Sequence, residues 1–457
     1  MNEKRNNNYL MIFIILNFII VLPFYALTFP QKIVEYKMDQ QIDHNSFKRD
    51  VFSQRYYIDK TYAESENSPV IYLIGGEMVC NKKAIKMSSA SYYAKKLKAY
   101  VVALEHRHYG KSIPYGILDL NSLQYLNTEQ ALKDLAAAQD YISETQKIKG
   151  KWIAFGASYA GNLAAYYRAL YPEKVVGAIA SSAPVKAKTD FIEYDEIMTE
   201  IIGSSCQEDI LFFISFLEEE IETEAGFRNI TAELKLDKIE TPLDLLEFVS
   251  TVNSTLFQLG QTGLLCSTFS AKNQLKAFKR LLELTRILLK LMSFNMDIQY
   301  LVNASDPNPQ IYENFVGSRA WFYQCCTEYA YFYIPSSFDS KRSKSKYNNL
   351  NYYQDVCYDL FGISEPVDTV SFNKVYYQSI LEAEDANILF INGTNDPWTA
   401  LGINEEDFNI NSSLKLFIIK NGIHASDYQK ANIFDSKETK EARNLALDQM
   451  KKWLSLL

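Results

Sequence analysis

The chain has 457 residues, of which 47% are hydrophobic and 22% charged, a balance typical of a globular protein with a large core. Its formal net charge of −8 argues against a nucleic-acid partner, because phosphate binding needs clustered lysine and arginine. The length predicts two or three domains, or one large fold with an insertion. No cysteine spacing resembles a metal site and only four histidines are present, so we expect neither a metal nor a cofactor.

The N-terminal segment is typical of a secretory signal. Lys4 and Arg5 precede an apolar run from Tyr9 to Phe29. Because this run approaches membrane-spanning length, two alternatives stay open for residues 1–27: a cleaved signal peptide, or an uncleaved anchor that would attach the protein to a membrane.

Cysteines and glycosylation sequons also favour entry into the secretory pathway. Six cysteines in a chain that enters the secretory pathway predict disulfides. The expected compartment is lysosomal, endosomal or vacuolar, or extracellular. Four sequons are candidate glycosylation sites, at Asn229, Asn253, Asn303 and Asn411.

From Ser68 to Pro184, short apolar runs alternate with helical periodicity. The runs "VIYLIGGE", "AYVVALE", "KWIAFGAS" and "VVGAIASSAP" predict buried strands. Between them, "NTEQALKDLAAAQDYISET" predicts a long helix with Thr128 as its cap and an apolar stripe. Strands that alternate with helices indicate a parallel sheet with both faces covered.

Helical periodicity dominates from about Phe191 to Tyr333, and the α/β pattern returns with "ANILFINGTNDPW" and "LKLFIIKNGIH". We therefore predict one α/β domain, formed by residues 28–190 and 376–457 and split by a helical insertion at residues 191–375. The polar stretch "FDSKRSKSKYNNLNYYQ", residues 338–354, is interpreted as a mobile loop.

Ser158 is the candidate nucleophile. It lies between a predicted strand and a predicted helix, where the nucleophile of an α/β-hydrolase stands on a tight turn with tiny neighbours. Gly156 and Ala160 occupy the neighbouring positions, so the pattern departs from G-x-S-x-G by one methyl group. The motif alone is weak, because small residues where a helix packs on a strand explain it equally well.

Two later strand ends offer the partners of a catalytic triad. Asp396 follows "ILFING" and His424 follows "KLFIIKNG", and His424 is the only histidine C-terminal to Ser158. This is the order serine, acid, histidine that the fold requires. The oxyanion donors are expected to be the N–H of Tyr159 and an N–H of the loop around Gly76.

Several ordered motifs carry a resemblance to a known family. "FSQRYYID", "ALEHRHYGKSIP", "GASYAGNLAAYYRALYP", "WFYQCCTE", "NGTNDPWTALG" and "NGIHASDY" resemble the serine carboxypeptidase family that includes lysosomal Pro-Xaa carboxypeptidase, dipeptidyl peptidase II and thymus-specific serine protease. The segment "HASDY" departs from the "HHLDL" of the first two, so the chain looks more similar to the thymus-specific branch.

The resemblance implies an α/β-hydrolase fold with a mostly helical cap inserted between the nucleophile and the acid. It implies a serine peptidase that acts on peptides near proline, as a carboxypeptidase or a dipeptidyl peptidase. The family's serine, aspartate and histidine correspond to Ser158, Asp396 and His424. It also favours a Cys326–Cys357 disulfide, whereas a pairing of Cys206 with Cys266 is a guess among 15 connectivities. A homodimer is left open.

Glu77 and Trp398 flank the predicted site. Trp398 offers a flat face for a proline ring or packs in the core, and Glu77 anchors a peptide amino terminus or accepts local hydrogen bonds. Two other functions stay open on the residues alone: an esterase or lipase on the same fold, and a catalytically silent binding protein.

Overall fold

A mixed eight-stranded sheet forms the centre of the computed structural model, which describes residues 33–236, 239–258, 262–269, 273–291, 306–308 and 318–455. The strands are β1 (Ile33–Gln41), β2 (Val51–Asp59), β3 (Val70–Ile74), β4 (Tyr100–Leu104), β5 (Trp152–Ala157), β6 (Gly177–Ser181), β7 (Ile388–Gly393) and β8 (Lys415–Ile419). Their order is β1-β2-β4-β3-β5-β6-β7-β8. β2 runs antiparallel to β1 and β4, and the other neighbours are parallel. The signal or anchor segment and Asn303 lie outside the described residues.

The predicted parallel strands are present, and the sequence patterns missed the antiparallel pair β1 and β2. β1 has the sequence "IVEYKMDQQ" and exposes many of its residues at the edge of the sheet. An edge strand of this composition has no apolar run, so periodicity could not detect it.

Helices cover the sheet and fill the insertion. They are α1 (Lys82–Met87), α2 (Ala90–Leu97), α3 (Leu120–Leu123), α4 (Thr128–Gln146), α5 (Tyr159–Leu170), α6 (Glu193–Ile202), α7 (Ser204–Glu220), α8 (Glu224–Leu234), α9 (Pro242–Gln258), α10 (Thr262–Phe269), α11 (Gln274–Leu291), α12 (Ser318–Gln324), α13 (Leu350–Phe361), α14 (Thr369–Val375), α15 (Tyr377–Glu382), α16 (Glu405–Ile410) and α17 (Lys437–Ser455).

Each face of the sheet has its own apolar core. On one face, α2 and α17 bury side chains such as Tyr93 and Trp453 against the strands. On the other face, α4 and α5 contribute Leu132 and Leu163. This arrangement leaves the carboxyl ends of the parallel strands, where loops begin, as the edge on which a site can form.

The long helix α4 begins one residue earlier than the sequence pattern suggested. Asn127, and not Thr128, is the cap, because the Asn127 side chain accepts the N–H of Gln130. The Thr128 N–H and hydroxyl instead donate to the Glu328 carboxylate at 3.0 Å. Glu328 follows α12 in the chain, so this contact ties the later part of the insertion to the sheet domain.

Helices α7 to α11 build a separate apolar core between β6 and β7 in the chain. Its buried side chains include Phe213, Leu246, Phe248 and Leu281. In contrast, Phe372 of α14 and Ile380 of α15 belong to the core under the sheet. Within the insertion, helices α7 to α11 therefore have a core of their own, whereas Phe191 and Tyr329 near the ends of the helical block pack in the core under the sheet.

The interpretation of residues 338–354 as a mobile loop is wrong. Ser343 and Lys344 are 2% and 3% exposed. The Ser343 hydroxyl donates to Asp195 at 2.6 Å, and the Lys344 ammonium lies 3.1 Å from Glu247. Buried polar groups are tolerated when each one has a partner, and the partners here come from helices that are distant in sequence.

All six cysteines lie among the described residues, and four of them form disulfides. Cys206 joins Cys266, and Cys326 joins Cys357. Cys80 and Cys325 are buried thiols. Two disulfides indicate folding in an oxidising compartment, such as the secretory pathway.

The sequons differ in their accessibility. Asn229 is exposed on α8. Asn411 is partly buried, and its amide nitrogen donates to Ala383 O at 3.0 Å. Asn253 is 1% exposed in the insertion, so the expectation of a glycan at Asn253 conflicts with the folded structure, which leaves no room for one.

Candidate active site

Ser158 stands on a strained turn between β5 and α5. Its φ is +56° and its ψ is −132°, a combination that is costly for a residue with a side chain. The turn is held because the Ser158 N–H donates to Ser181 O at 2.9 Å. The serine therefore lies at the carboxyl end of the parallel strands, in the position of a nucleophile elbow.

The neighbours of Ser158 are small because the turn leaves no room. A Cβ on Gly156 would lie 2.1 Å from Ala160 O, which is a severe clash. On the other side, a Cβ on Gly76 would lie 3.3 Å from the Ala160 Cβ. The methyl group of Ala160 is thus accommodated because position 76 has no side chain.

Replacing Gly156 with alanine is expected to destabilise the fold by about 1–3 kcal/mol, the usual effect of forcing a methyl group into a packed site. Activity should fall as well, because the turn would have to shift. Urea unfolding of Gly156→Ala beside Gly263→Ala checks this, since a Cβ at the exposed Gly263 of α10 meets nothing within 4 Å. Equal stability of the two variants would contradict the tight turn.

Asp396 and His424 follow adjacent strands and form a hydrogen-bonded pair. His424 Nδ1 lies 3.0 Å from Asp396 Oδ1 and 2.9 Å from Oδ2. The loops that carry the two residues are also joined through their backbones, because the Asn395 N–H donates to Gly422 O at 2.8 Å. Asp396 is 1% exposed, so this hydrogen-bonded pair is made with little access of solvent to the carboxylate.

The environment of His424 favours its protonated form. Burial would lower the pKa of His424, but the Asp396 carboxylate, through its charge and its hydrogen bond, and the charge of Glu77 outweigh this and raise it. A carboxylate that binds Nδ1 fixes the tautomer in which Nε2 is the free base. The pair therefore has the chemistry of a general base.

The sheet order brings the serine to the same edge as this pair. Ser158 follows β5, Asp396 follows β7 and His424 follows β8, and these strands are consecutive apart from β6. Within the described residues, Ser158 Oγ makes no hydrogen bond. Catalytic hydrogen bonds are often long without a substrate, so this geometry is compatible with a triad.

The two backbone segments expected to form an oxyanion hole lie next to each other at the Ser158 turn. Tyr159 is the first residue of α5, so its N–H has no partner within the helix. The Gly76 loop packs against this turn, since a Cβ on Gly76 would be 3.4 Å from Ala160 N. Tyr159 itself is held by its hydroxyl, which lies 2.9 Å from His106 Nε2 and accepts Gln324 Nε2 at 2.8 Å.

Glu77 lies beside the candidate triad and is half-buried. Burial raises the pKa of Glu77, while its own backbone N–H and the charge of His424 lower it by less. Among the described residues, no lysine or arginine forms an ion pair with Glu77. The site therefore contains a carboxylate that could accept a cationic group of a ligand.

Trp398 connects the acid to a wall of aromatic rings. Its backbone N–H donates to Asp396 at 3.1 Å, and its ring centroid lies 6.4 Å from that of His424. The other rings in contact with it belong to Phe191, Tyr194, Tyr331 and Tyr333. Trp398 is only partly buried, so it packs in this wall and keeps part of its surface exposed.

Sequence reasoning missed several polar residues around the site. Ser181 is the last residue of β6 and Ser182 follows it, between the strand of the nucleophile and the strand of the acid, and both are buried. These two serines could have been found from the sequence, because they form a polar pair at the end of a strand that lies between two candidate catalytic strands. Gln324 is fixed only by contacts across the fold, so no local pattern could have identified it.

The parallel sheet, the strained serine after β5 and the histidine–aspartate pair after β7 and β8 define an α/β-hydrolase of the serine hydrolase class. The chain belongs to the serine carboxypeptidase S28 family, whose sequence profile matches residues 40–446. It is accordingly a serine peptidase, and family membership argues against the esterase and the silent binding protein.

Individual relatives agree with this family. Human thymus-specific serine protease is 29% identical over 92% of this chain and 86% of its own length. Bovine lysosomal Pro-X carboxypeptidase is 28% identical over 92% of this chain and 87% of its own. Among solved structures, an esterase from Pyrobaculum calidifontis matches with a TM-score of 0.39 at 11% identity, over 92% of this chain and 85% of that one.

No helix within the described ranges is both long and apolar enough to cross a membrane.

Proposed function

We propose that this chain is an exopeptidase that cleaves peptides near proline, with Ser158, His424 and Asp396 as its catalytic triad. The observation that carries the proposal is the convergence of three strand ends on one edge of the sheet, with His424 Nδ1 2.9 Å from Asp396. The names of the relatives, a serine protease and a Pro-X carboxypeptidase, support the substrate class.

In the proposed reaction, Ser158 Oγ bonds to the carbonyl carbon of the scissile peptide while its proton passes to His424 Nε2. The carbon–nitrogen bond then breaks, and the leaving amine takes that proton. Water attacks the acyl-enzyme in the same way and releases the acid. Asp396 holds the tautomer and stabilises the imidazolium throughout.

We assign the oxyanion hole to the N–H of Tyr159 and an N–H of the Gly76 loop. Tyr159 directly follows Ser158 and the Gly76 loop packs against the same turn, which supports the assignment, because backbone donors beside the nucleophile stabilise the tetrahedral oxyanion. The Tyr159 side chain supports the first donor, because its hydroxyl accepts Gln324 Nε2 and is hydrogen-bonded to His106 Nε2.

Trp398 and Glu77 are proposed to bind the substrate. The exposed part of the Trp398 ring would pack on a proline ring beside the scissile bond. The Glu77 carboxylate would pair with the amino terminus of the peptide, because no lysine or arginine among the described residues forms an ion pair with it. A peptidase of this kind removes short N-terminal fragments.

Glu77→Gln is expected to raise KM for a proline-containing peptide by about 10-fold or more, because a charge-assisted contact is lost. At a pH well above the His424 pKa, where the imidazole is neutral in both proteins, the rate of labelling by a small fluorophosphonate should not change. The ionised carboxylate binds the amine, so KM of the native protein should also rise as pH falls through the Glu77 pKa. That dependence should be absent in the variant.

Blocked peptides decide between the two kinds of exopeptidase. Acetylation of the amino terminus should abolish cleavage, whereas amidation of the carboxyl terminus should not. The reverse result would make the protein a carboxypeptidase and would contradict the role of Glu77. Cleavage of peptides blocked at both ends would contradict exopeptidase action altogether.

The cellular setting is part of the same proposal. We propose entry into the secretory pathway through residues 1–27, a lysosomal or extracellular destination, and a cap at residues 191–375 that closes the groove. Mass spectrometry of the protein isolated from cells would reveal cleavage of the N-terminal segment. Analytical ultracentrifugation of the same material distinguishes a monomer from a homodimer.

A further inference from the structure

The Ser181–Ser182 pair touches every segment that carries a member of the candidate triad. Its backbone contacts the Ser158 turn and the strand that leads to Asp396. Ser181 O accepts the Ser158 N–H at 2.9 Å, and the Ser182 N–H donates to Ile391 O of β7 at 2.7 Å. The pair thus lies between the turn of the nucleophile and the strand that leads to the acid.

Both hydroxyl groups reach the third segment, the loop that begins with His424. Ser182 Oγ accepts the N–H of Ala425 at 2.8 Å. Ser181 Oγ donates to Asp427 Oδ1 at 2.6 Å. The two serines and Asp427 are each at most 2% exposed, so these hydrogen bonds are made without competition from solvent.

The hydrogen bond between Ser182 and Ala425 joins two strained residues. Their φ angles are +45° and +55°, in the region that residues with side chains rarely adopt. Such conformations persist only where surrounding contacts enforce them, and they cluster at functional sites. Ala425 directly follows His424, so the hydrogen bond to the Ala425 N–H holds the peptide group that links the two residues.

The opposite side of this loop is held by Arg443 of α17. Its guanidinium donates to Asp427 O at 2.8 Å and to Gln429 O at 2.9 Å. These contacts fix the far part of the loop against the C-terminal helix. The Ser182 hydroxyl instead bonds to Ala425, the residue that directly follows His424.

We propose that Ser181 and Ser182 are positioning residues that set the separation of Ser158 and His424. The Ser181 carbonyl oxygen accepts the N–H of Ser158, and the hydroxyl groups of Ser181 and Ser182 bond to the loop that begins with His424. A shift of either hydrogen bond therefore changes the geometry of proton transfer without touching the substrate. This inference rests on the proposed triad.

The test compares Ser182→Ala and Ser181→Ala with the native protein. We expect kcat to fall about 10- to 100-fold, the effect of a displacement near 1 Å in a catalytic group, with KM within about three-fold of native. Ser182→Gly should lose the same activity while it relieves the positive φ, which separates loss of the hydroxyl from loss of folding.

A double-mutant comparison supplies a measurement that a purely structural role would not affect. In a His424→Ala background, the slow residual rate of fluorophosphonate labelling should be the same with Ser182 or Ala at position 182, because the serine acts through the histidine. An additive loss in that background, or an unchanged kcat in Ser182→Ala, would overturn the inference. If His424→Ala itself retains full activity, the proposed triad fails instead.

Discussion

Ser158→Ala is expected to abolish covalent labelling by a fluorophosphonate and to lower kcat for peptide hydrolysis by about 10⁵- to 10⁶-fold, as loss of a triad nucleophile does. The physical reason is the absence of any bond-forming oxygen at the strained turn, while binding of the peptide is retained. Ser158 Oγ makes no hydrogen bond within the described residues, so its removal should leave the free energy of unfolding nearly unchanged. Mass spectrometry of the labelled protein gives the stoichiometry and the modified residue.

A matched serine separates this effect from general damage. Ser364 is exposed after α13, distant in sequence from the site segments, and Ser364→Ala should label and turn over at the native rate. Labelling that persists in Ser158→Ala, or that maps to another serine, would refute Ser158 as the nucleophile. Loss of labelling in both variants would point to a defect in the preparation.

Asp396→Asn is expected to lower kcat by about 10⁴-fold, because an amide no longer enforces the tautomer of His424 in which Nε2 is the base. Of the described residues, only Asp396 is hydrogen-bonded to the His424 ring, at 2.9 and 3.0 Å. The turn of Ser158 should be unaffected, so slow labelling should remain. Asp385→Asn, at an exposed position, is the matched control and should keep native activity.

The pH dependence follows from the same pair. His424 acts as a base only when it is neutral, so kcat/KM should fall as pH drops below its pKa. Asp396 is the main group that raises this pKa against the effect of burial. The acidic limb of the profile should therefore move to lower pH in Asp396→Asn. A limb that stays in place would show that another group controls it.

Much of the candidate site could be predicted because its information is local. Ser158, Asp396 and His424 each follow an apolar run, and parallel strands place their carboxyl ends on one edge. The structure joins Asp396 to His424 and places Ser158 at the same edge. Their catalytic roles, and those of Tyr159 and Gly76, stay predictions until the variants are measured.

Other features could not be predicted because they depend on partners that are distant in sequence. Residues 338–354 look like a solvated loop, yet Lys344 is buried through its contact with Glu247. Asn253 satisfies a sequon, but the packing of the insertion buries it. In both cases the local sequence shows which side chain is present, but its burial depends on residues that are distant in sequence.

The sequence by itself determined the order of the α/β elements, the small residues around Ser158 and the order of the three candidate catalytic groups. These properties depend on hydrophobic period and on steric limits within a few residues. Only the tertiary structure decided that Ser181 and Ser182 lie between the nucleophile, the acid strand and the histidine loop. Hydrogen bonds across 243 and 246 residues create that arrangement, and contacts of such separation leave no periodic trace in the chain.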